Sequence, residues 1–467
     1  MFGSEKSKSP SRRWKGSSES RSEELDRISQ LPDPLICNIL SHLPTKDAVK
    51  TSVCSARWRS LWLWVPCLEL SSQSFSDFKA FMSFGDRFLD SNRVSCINKV
   101  KLDIYEDGAD LKSWIDATVK RKIQHLHVRC TPCTDYEMPS SLYNCETLVS
   151  LKLHEVRVSL VDFRFVSLPC VKTMHLKYIR YGNEANLEAS FKRLVSCCPI
   201  LEELKIFAYE WMSRRSQVYR VVSRSLKKLR IKLEEDFETL GLGFVIDAPL
   251  LSCLSIKDSL SENFIINNMD SIAKVDLYGI FGLDDFGEAG VVTSRGSRIR
   301  GFLLGISKVR DMTICRCTFK LICQYSRFQP LPQFGYMSHL FVTLRVSDLK
   351  SLPTFLESCP KLKSLILVWD GNSKKMHSDG DDLHNPIIHF ASVPECLLSS
   401  LEFVDIKTSI SGHAPEMKVV EYFLKNSAIL KKLILRLNYY DCANENSFFK
   451  ILMAIPRRSA TCEVVVL

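Results

Sequence analysis

Two short runs in this chain bring metal-ligating side chains close together. His125, His127, Cys130 and Cys133 form HxH followed by CxxC, donors whose types suit zinc. His377, Asp379, Asp381, Asp382 and His384 crowd a polar stretch rich in Gly and Asp. Neither has the layout of a closed site. If residues 125–128 form a strand, Leu126 and Val128 are core and both histidines face the other way. The acidic stretch reads as a solvated surface loop. His154-Glu155 lacks the second histidine of HExxH, and GxSxG, Walker A and dinucleotide-type glycine patterns do not occur. Cys315 and Cys317 lack a general base nearby in sequence. No nucleophile, base and orienter assemble. The expectation is a non-catalytic chain without metal or cofactor.

The chain has 467 residues, 45% hydrophobic and 25% charged, the composition of a soluble globular protein with room for two or three domains. Its net charge of +10, from 63 Lys and Arg against 53 Asp and Glu, is scattered. Spread in this way, the charge suits acidic partner surfaces better than nucleic acid or membrane. No zinc-finger, RRM or KH pattern points to nucleic acid. The serine-rich start lacks a signal-peptide core, and no run of about 18 apolar residues follows. The expected location is intracellular, nucleus and/or cytoplasm. The 18 cysteines then read as reduced, buried small hydrophobes such as Cys253 and Cys323. Residues 1–22 read as a disordered basic tail, with a weak nuclear import signal as the alternative.

Residues 25–66 carry more apolar surface than so small a unit can bury alone. Leu35, Ile36, Ile39, Leu40 and Leu43 recur at helical spacing and read as one apolar face. Pro32 and Pro34 stand at the entrance of that helix, Pro44 ends it, and Thr45 suits the N-cap of the next. Ala48, Val49, Ser52 and Val53 read as a second inner face, and Trp58, Leu61, Trp62 and Val65 as a third. Such a unit is either one wall of a larger core or a docking surface.

From about residue 71 apolar residues recur at x, x+3 and x+5. Examples are Ile97-Val100-Leu102, Leu148-Leu151-Leu153, Leu201-Leu204-Ile206, Leu251-Leu254-Ile256, Phe341-Leu344-Val346 and Leu362-Leu365-Leu367. From 97 to 272 successive starts are 21 to 30 residues apart, within or at the edge of the leucine-rich-repeat range of about 20–29. Pro169, Pro199, Pro249 and Pro360 each stand two residues before a triplet, fixing a corner before a short strand. Each repeat therefore reads as helix or irregular turn, proline corner, strand, with Leu187–Val195 and Leu352–Ser358 among the helical parts. Stacked repeats build a solenoid with a continuous core, and residues such as Glu203, Lys205, Lys228 and Arg230 face outward on a concave parallel sheet. The period breaks at 278–308, where Ile299–Ile306 suits a helix, and again at 368–400.

Two stretches add a resemblance. Leu31-Pro32, Ile39-Leu40-Ser41-His42-Leu43-Pro44-Thr45-Lys46-Asp47-Ala48-Val49, Thr51-Ser52-Val53 and Arg57-Trp58-Arg59-Ser60-Leu61-Trp62 together resemble the F-box in its plant form. The match departs at Pro34 and Cys37 in the first helix region and at Cys54 and Ala56, where Leu and Lys are more usual. Val393-Pro394-Glu395-Cys396-Leu397, Leu401–Val404, Glu421–Ser427, Leu430–Leu433 and Arg457-Arg458-Ser459 resemble the FBD domain. The chain is thus similar to plant F-box/FBD/leucine-rich-repeat proteins. The implied organisation is an all-helical F-box at 23–70, leucine-rich repeats at 71–390, and an FBD domain at 391–467 that caps the solenoid's apolar end. The fold class is α/β.

The resemblance implies the substrate-recognition subunit of an SCF-type (cullin–RING) ubiquitin ligase. Its F-box would dock on a Skp-family adaptor, and its repeats would hold an unknown target protein. The residues this assigns to adaptor binding are Leu31, Pro32, Leu35, Ile36, Ile39, Leu40, Leu43, Pro44, Val49, Val53, Trp58, Leu61 and Trp62; of these, Val49, Val53, Trp58, Leu61 and Trp62 serve equally as interface or as F-box core. Two alternatives stand beside it. One is a leucine-rich-repeat interaction scaffold without a ligase role; the other is a small-molecule ligand on the concave face, for which no concentrated polar pocket is visible.

Overall fold

The computed structural model describes residues 28, 30–90, 96–106, 108–131, 136–158, 166–181, 187–209, 217–234, 242–258, 263–280, 289–369, 390, 392–410, 412, 414–437 and 445–467. The expected tail at 1–22, Cys133 and the His- and Asp-rich loop at 377–384 lie outside them. Two compact units divide the chain between Val65 and Pro66.

In the first unit, short helices follow one another as the prolines dictate. Helix Asp33–Leu40 starts at Pro32, with Pro34 in its first turn and Asp33 at its positive end. Helix Thr45–Lys50 starts at Pro44. Thr45 does not cap it: it lies inside the helix, buried, because Pro44 already supplies the extended backbone of a cap residue. Tight 3-10 turns, Thr51–Val53 and Trp58–Trp64, complete the unit. Arg57 locks the end to the beginning, donating from Nε to Asp33 Oδ1 at 2.8 Å and from Nη2 to the Leu31 carbonyl at 2.5 Å.

The second unit is built on repetition. Among the described residues it holds a 15-stranded parallel sheet, from Cys67–Ser71 to Glu463–Val466, in which successive repeats pair in order. The first strand, Cys67–Ser71, pairs with Lys99–Ile104 and falls within the range expected for the helical unit, 23–70. The x+3 and x+5 residues of the triplets stand opposite one another on neighbouring strands, as in Leu204↔Leu229↔Leu254 and Ile206↔Ile231↔Ile256. All six of these side chains are buried. The proline corners are real turns: Val171, Leu201, Leu251 and Leu362 each donate an amide hydrogen bond to the carbonyl of the residue just before the proline, with Pro at the second position, where its fixed φ fits.

Two expectations need correcting. Phe341-Leu344-Val346 is out of phase. The core residues of that repeat are Met337, Leu340 and Val342, and Phe341 lies in the outward row, opposite Thr313 and Ile366. An aromatic at an outward position imitated the triplet's first residue. Among the described residues between 217 and 267 the repeats also do not return through helix. They return through strands Gln217–Val222, Leu242–Asp247 and Asn263–Asn267, which form a second parallel sheet. Alternating β-branched and aromatic residues favour strand there. The rings of Tyr219, Phe244 and Phe264 share one register and stack at 5.2 and 5.5 Å.

Elsewhere helices form at Leu187–Ser196, Leu352–Leu356, Ala414–Asn426 and Glu445–Ala454, and the helix expected at Ile299–Ile306 starts ten residues earlier, spanning Ala289–Gly305. At the C-terminal end Ser459 is buried and donates from Oγ to the Leu430 carbonyl at 2.7 Å. The Arg458 amide donates to the Leu424 carbonyl at 2.9 Å. These bonds hold the Arg457-Arg458-Ser459 corner against helix Ala414–Asn426 and the segment after it, and turn the chain into its last strand.

Candidate functional site

The helix Asp33–Leu40 and the turn after it carry two apolar faces, not one. Ile36 and Leu40 are 0% and 1% exposed, whereas Leu35, Ile39 and Leu43 are 50%, 45% and 41% exposed. The i, i+1, i+4, i+5, i+8 pattern is therefore two interleaved stripes, one turned inward and one to solvent. Leu61 and Trp62 are buried with the inner stripe, Val49, Trp58 and Leu31 are half-buried, and Pro32 and Pro44 are exposed. Val53, read from sequence as inner, is 87% exposed. Ile36, Leu40, Leu61 and Trp62 thus offer little surface for direct contact. They hold in place the side chains that do.

The open face of the long sheet is the second candidate. Its central row runs Lys101, His127, Lys152, His175, Lys205, Arg230 across six neighbouring strands in strict register. Each occupies x+4 of its repeat, between the two inward apolars. Reading that single position down the repeats would have revealed the row; of its members, sequence reading noted only His127, Lys205 and Arg230, each within its own repeat. Further along, the same row passes through Ser255, Asp276 and Thr313 to Phe341 and Ile366. Lys407 Nζ lies 5.6 Å from the Phe341 ring centroid.

Some of these cations have partners within the sheet face. Lys205 Nζ is 2.5 Å from Glu203 Oε1, His175 Nε2 is 3.2 Å from the same oxygen, and Lys101 Nζ is 3.1 Å from Asp103. Lys205 and His175 together hold the Glu203 carboxyl below its usual pKa. Burial, abetted by neighbouring lysines, lowers the pKa of both His127 and His175, which keeps them neutral at neutral pH.

The histidines and Cys130 of the HxH–C run do not converge. His125 and His127 face outward on strand His125–Cys130, while Cys130 is fully buried on the opposite side with Leu126 and Val128. His154 is also buried, with Nε2 2.9 Å from Glu155 Oε1 but not in hydrogen-bonding geometry. Burial first, then Lys177 and Arg129, push its pKa down to about 4. Among the described residues no helix is long and apolar enough to cross a membrane.

Comparison with known proteins follows the same division of the chain. Family models match at residues 28–70 (F-box domain), 111–271 (FBD-associated F-box protein At5g56370, LRR repeats) and 389–435 (FBD). An FBD-associated F-box protein of Arabidopsis thaliana is 59% identical over 447 residues, covering 94% of this chain and 99% of its own length. Two F-box/FBD/LRR-repeat proteins of the same plant are 52% identical over 458 residues and 44% identical over 450. The alignments cover 97% and 96% of this chain, and 99% and 97% of those relatives.

Proposed function

The chain belongs to the F-box/FBD/LRR-repeat family, and from that premise we propose that it is the substrate-recognition subunit of an SCF-type ubiquitin ligase. It docks on a Skp-family adaptor through its F-box, is joined through that adaptor to cullin and RING subunits, and holds a target protein on its leucine-rich repeats. The observation that carries this reading is the exposed stripe Leu35, Ile39 and Leu43, with Val53 beside it in sequence terms as a further exposed aliphatic. Burying an aliphatic side chain fully contributes about 1.5–3 kcal/mol, so three half-exposed ones supply several kcal/mol to a partner groove. A surface ion pair contributes about 0–1 kcal/mol. Apolar docking dominates this end of the chain.

The direct contacts assigned here are Leu31, Pro32, Leu35, Ile39, Leu43, Pro44 and Val53, with Val49 and Trp58 at the margin. Ile36, Leu40, Leu61 and Trp62 fix the helices from within. The receptor contributes proximity, raising the local concentration of target near a ubiquitin-loaded enzyme, and the covalent chemistry belongs to other subunits. The test is binding of the purified chain to a Skp-family adaptor, beside a Leu35→Asp/Ile39→Asp variant. Binding lost in a variant whose circular dichroism and melting are unchanged supports the reading. A folded wild-type chain that does not bind overturns it and leaves an interaction scaffold without a ligase role.

A further inference from the structure

The receptor reading requires a target but says nothing of its chemistry. The open face of the sheet does. Lys101, His127, Lys152, His175, Lys205 and Arg230 stand on six consecutive strands with no acidic residue between them. Glu69 stands opposite Lys101 at one end of this run, and Asp276 lies two strands beyond Arg230 at the other. Strands lie about 4.8 Å apart, so the row extends about 24 Å, the reach of roughly seven residues of extended chain crossing the strands. Lys152 and Arg230 have no ion-pair partner among the described residues, and neither do Lys228 and Lys257 in the flanking rows. Within the row only Lys205 and Arg230 are like charges directly opposite one another, a repulsion that an anionic ligand offsets. The unpaired Lys152 and Arg230 add positive charge that the face does not balance. We propose that this row is the target-binding surface and that it takes an extended acidic polypeptide segment, rich in Asp and Glu. This rests on the receptor reading for its purpose, though not for its geometry.

A polypeptide fits better than a nucleic acid for two reasons. Asp103, Glu203 and Asp276 interrupt the face beside or along the row. A continuous phosphate backbone would meet repulsion there, whereas a peptide can place its own Lys, Ser or Asn at those points. The row then leads to Phe341 and Ile366, which offer an apolar anchor to a side chain such as Leu and no ladder of rings for stacking bases.

The experiment uses the full chain and a fluorescein-labelled peptide of about ten glutamates, enough to cover the row, read by fluorescence anisotropy. Controls are a peptide of lysines and an oligothymidylate of equal length. The acidic peptide alone should bind, and binding should weaken as salt rises from about 50 mM to about 0.5 M, where screening shortens to a few ångströms. Lys152→Glu with Arg230→Glu should weaken it about tenfold or more. Lys152→Gln with Arg230→Gln, which adds no new charge, should weaken it less but measurably. Adaptor binding by the same variants should not change, which separates failure of this proposal from failure of the receptor reading. Absence of acidic-peptide binding, binding indifferent to both pairs of substitutions, or tighter binding of the oligothymidylate would each overturn it.

Discussion

The exposed stripe of the F-box and the open row of the sheet, the two surfaces proposed for partners, are opposite in chemistry. The stripe, Leu35, Ile39 and Leu43, is aliphatic and displayed by a unit too small to cover it. The row, Lys101 to Arg230, is cationic and displayed by a sheet whose own apolar side chains are already buried beneath it. A small helical unit has apolar surface left over and attaches by burying it. A long solenoid consumes its apolar residues in stacking, and the face that remains is free to vary in charge. One surface suits a constant partner, the other a selected one.

The largest effect expected is on the scaffold of the second surface. Phe244 is buried and stacked between Tyr219 and Phe264. Phe244→Ala should cost about 3–5 kcal/mol in urea denaturation while adaptor binding persists; a loss under about 1 kcal/mol would show that the second sheet is not a packed part of the solenoid. Next comes the stripe. Leu35→Asp with Ile39→Asp should weaken adaptor binding about 100-fold, roughly 2.7 kcal/mol, with melting unchanged because both side chains are already half in water. Ile36→Asp, one residue along, should instead abolish folding of the helical unit. Equal effects at Leu35 and Ile36 would erase the distinction between stripe and core.

A smaller effect separates the two surfaces by pH. His127 faces Lys101, Asp103, Arg129 and Lys152, and His175 faces Lys152, Lys205 and Glu203; both have lowered pKa values. An acidic ligand stabilises their protonated forms, so affinity for the glutamate peptide should rise as pH falls from about 7.5 to about 5.5, by a few fold, while adaptor binding stays level. A flat profile at the row would remove the histidines from the surface. The smallest effect is on stability. The pKa of His154 is about 4 in the folded chain against about 6.5 when unfolded. Its contribution is complete above pH 6.5 and is lost as pH falls through the window down to about 4. Discounted for the part of the ring that meets solvent, the loss is on the order of 1–2 kcal/mol, and His154→Asn should flatten that slope in melting curves.

Much of the fold was legible because its signals are local. The x, x+3, x+5 triplets and the prolines two residues before them mark strands and corners within a single repeat. Helix Ala414–Asn426 could be read from Met417, Val420, Phe423 and Leu424, all buried. The failures were also local, at places where one pattern has two solutions. Phe341 mimicked a triplet start, and Leu35, Ile36, Ile39, Leu40 and Leu43 fit one broad face or two narrow ones equally well. The strand-rich returns at 217–267 carried their own signal in Val218, Tyr219, Phe244 and Ile246, overlooked because a helix or turn was expected there.

Sequence alone determined that this chain has a short helical unit followed by stacked repeats and a closing domain, since side-chain period and proline placement act within a few residues. Tertiary structure decided which stripe of Asp33–Leu40 faces water, because that depends on which side the following turns pack. It also decided that Lys101, His127, Lys152, His175, Lys205 and Arg230 form one surface. These residues lie some 23 to 30 positions apart in the chain, and only the hydrogen-bonded register of parallel strands brings their side chains into line.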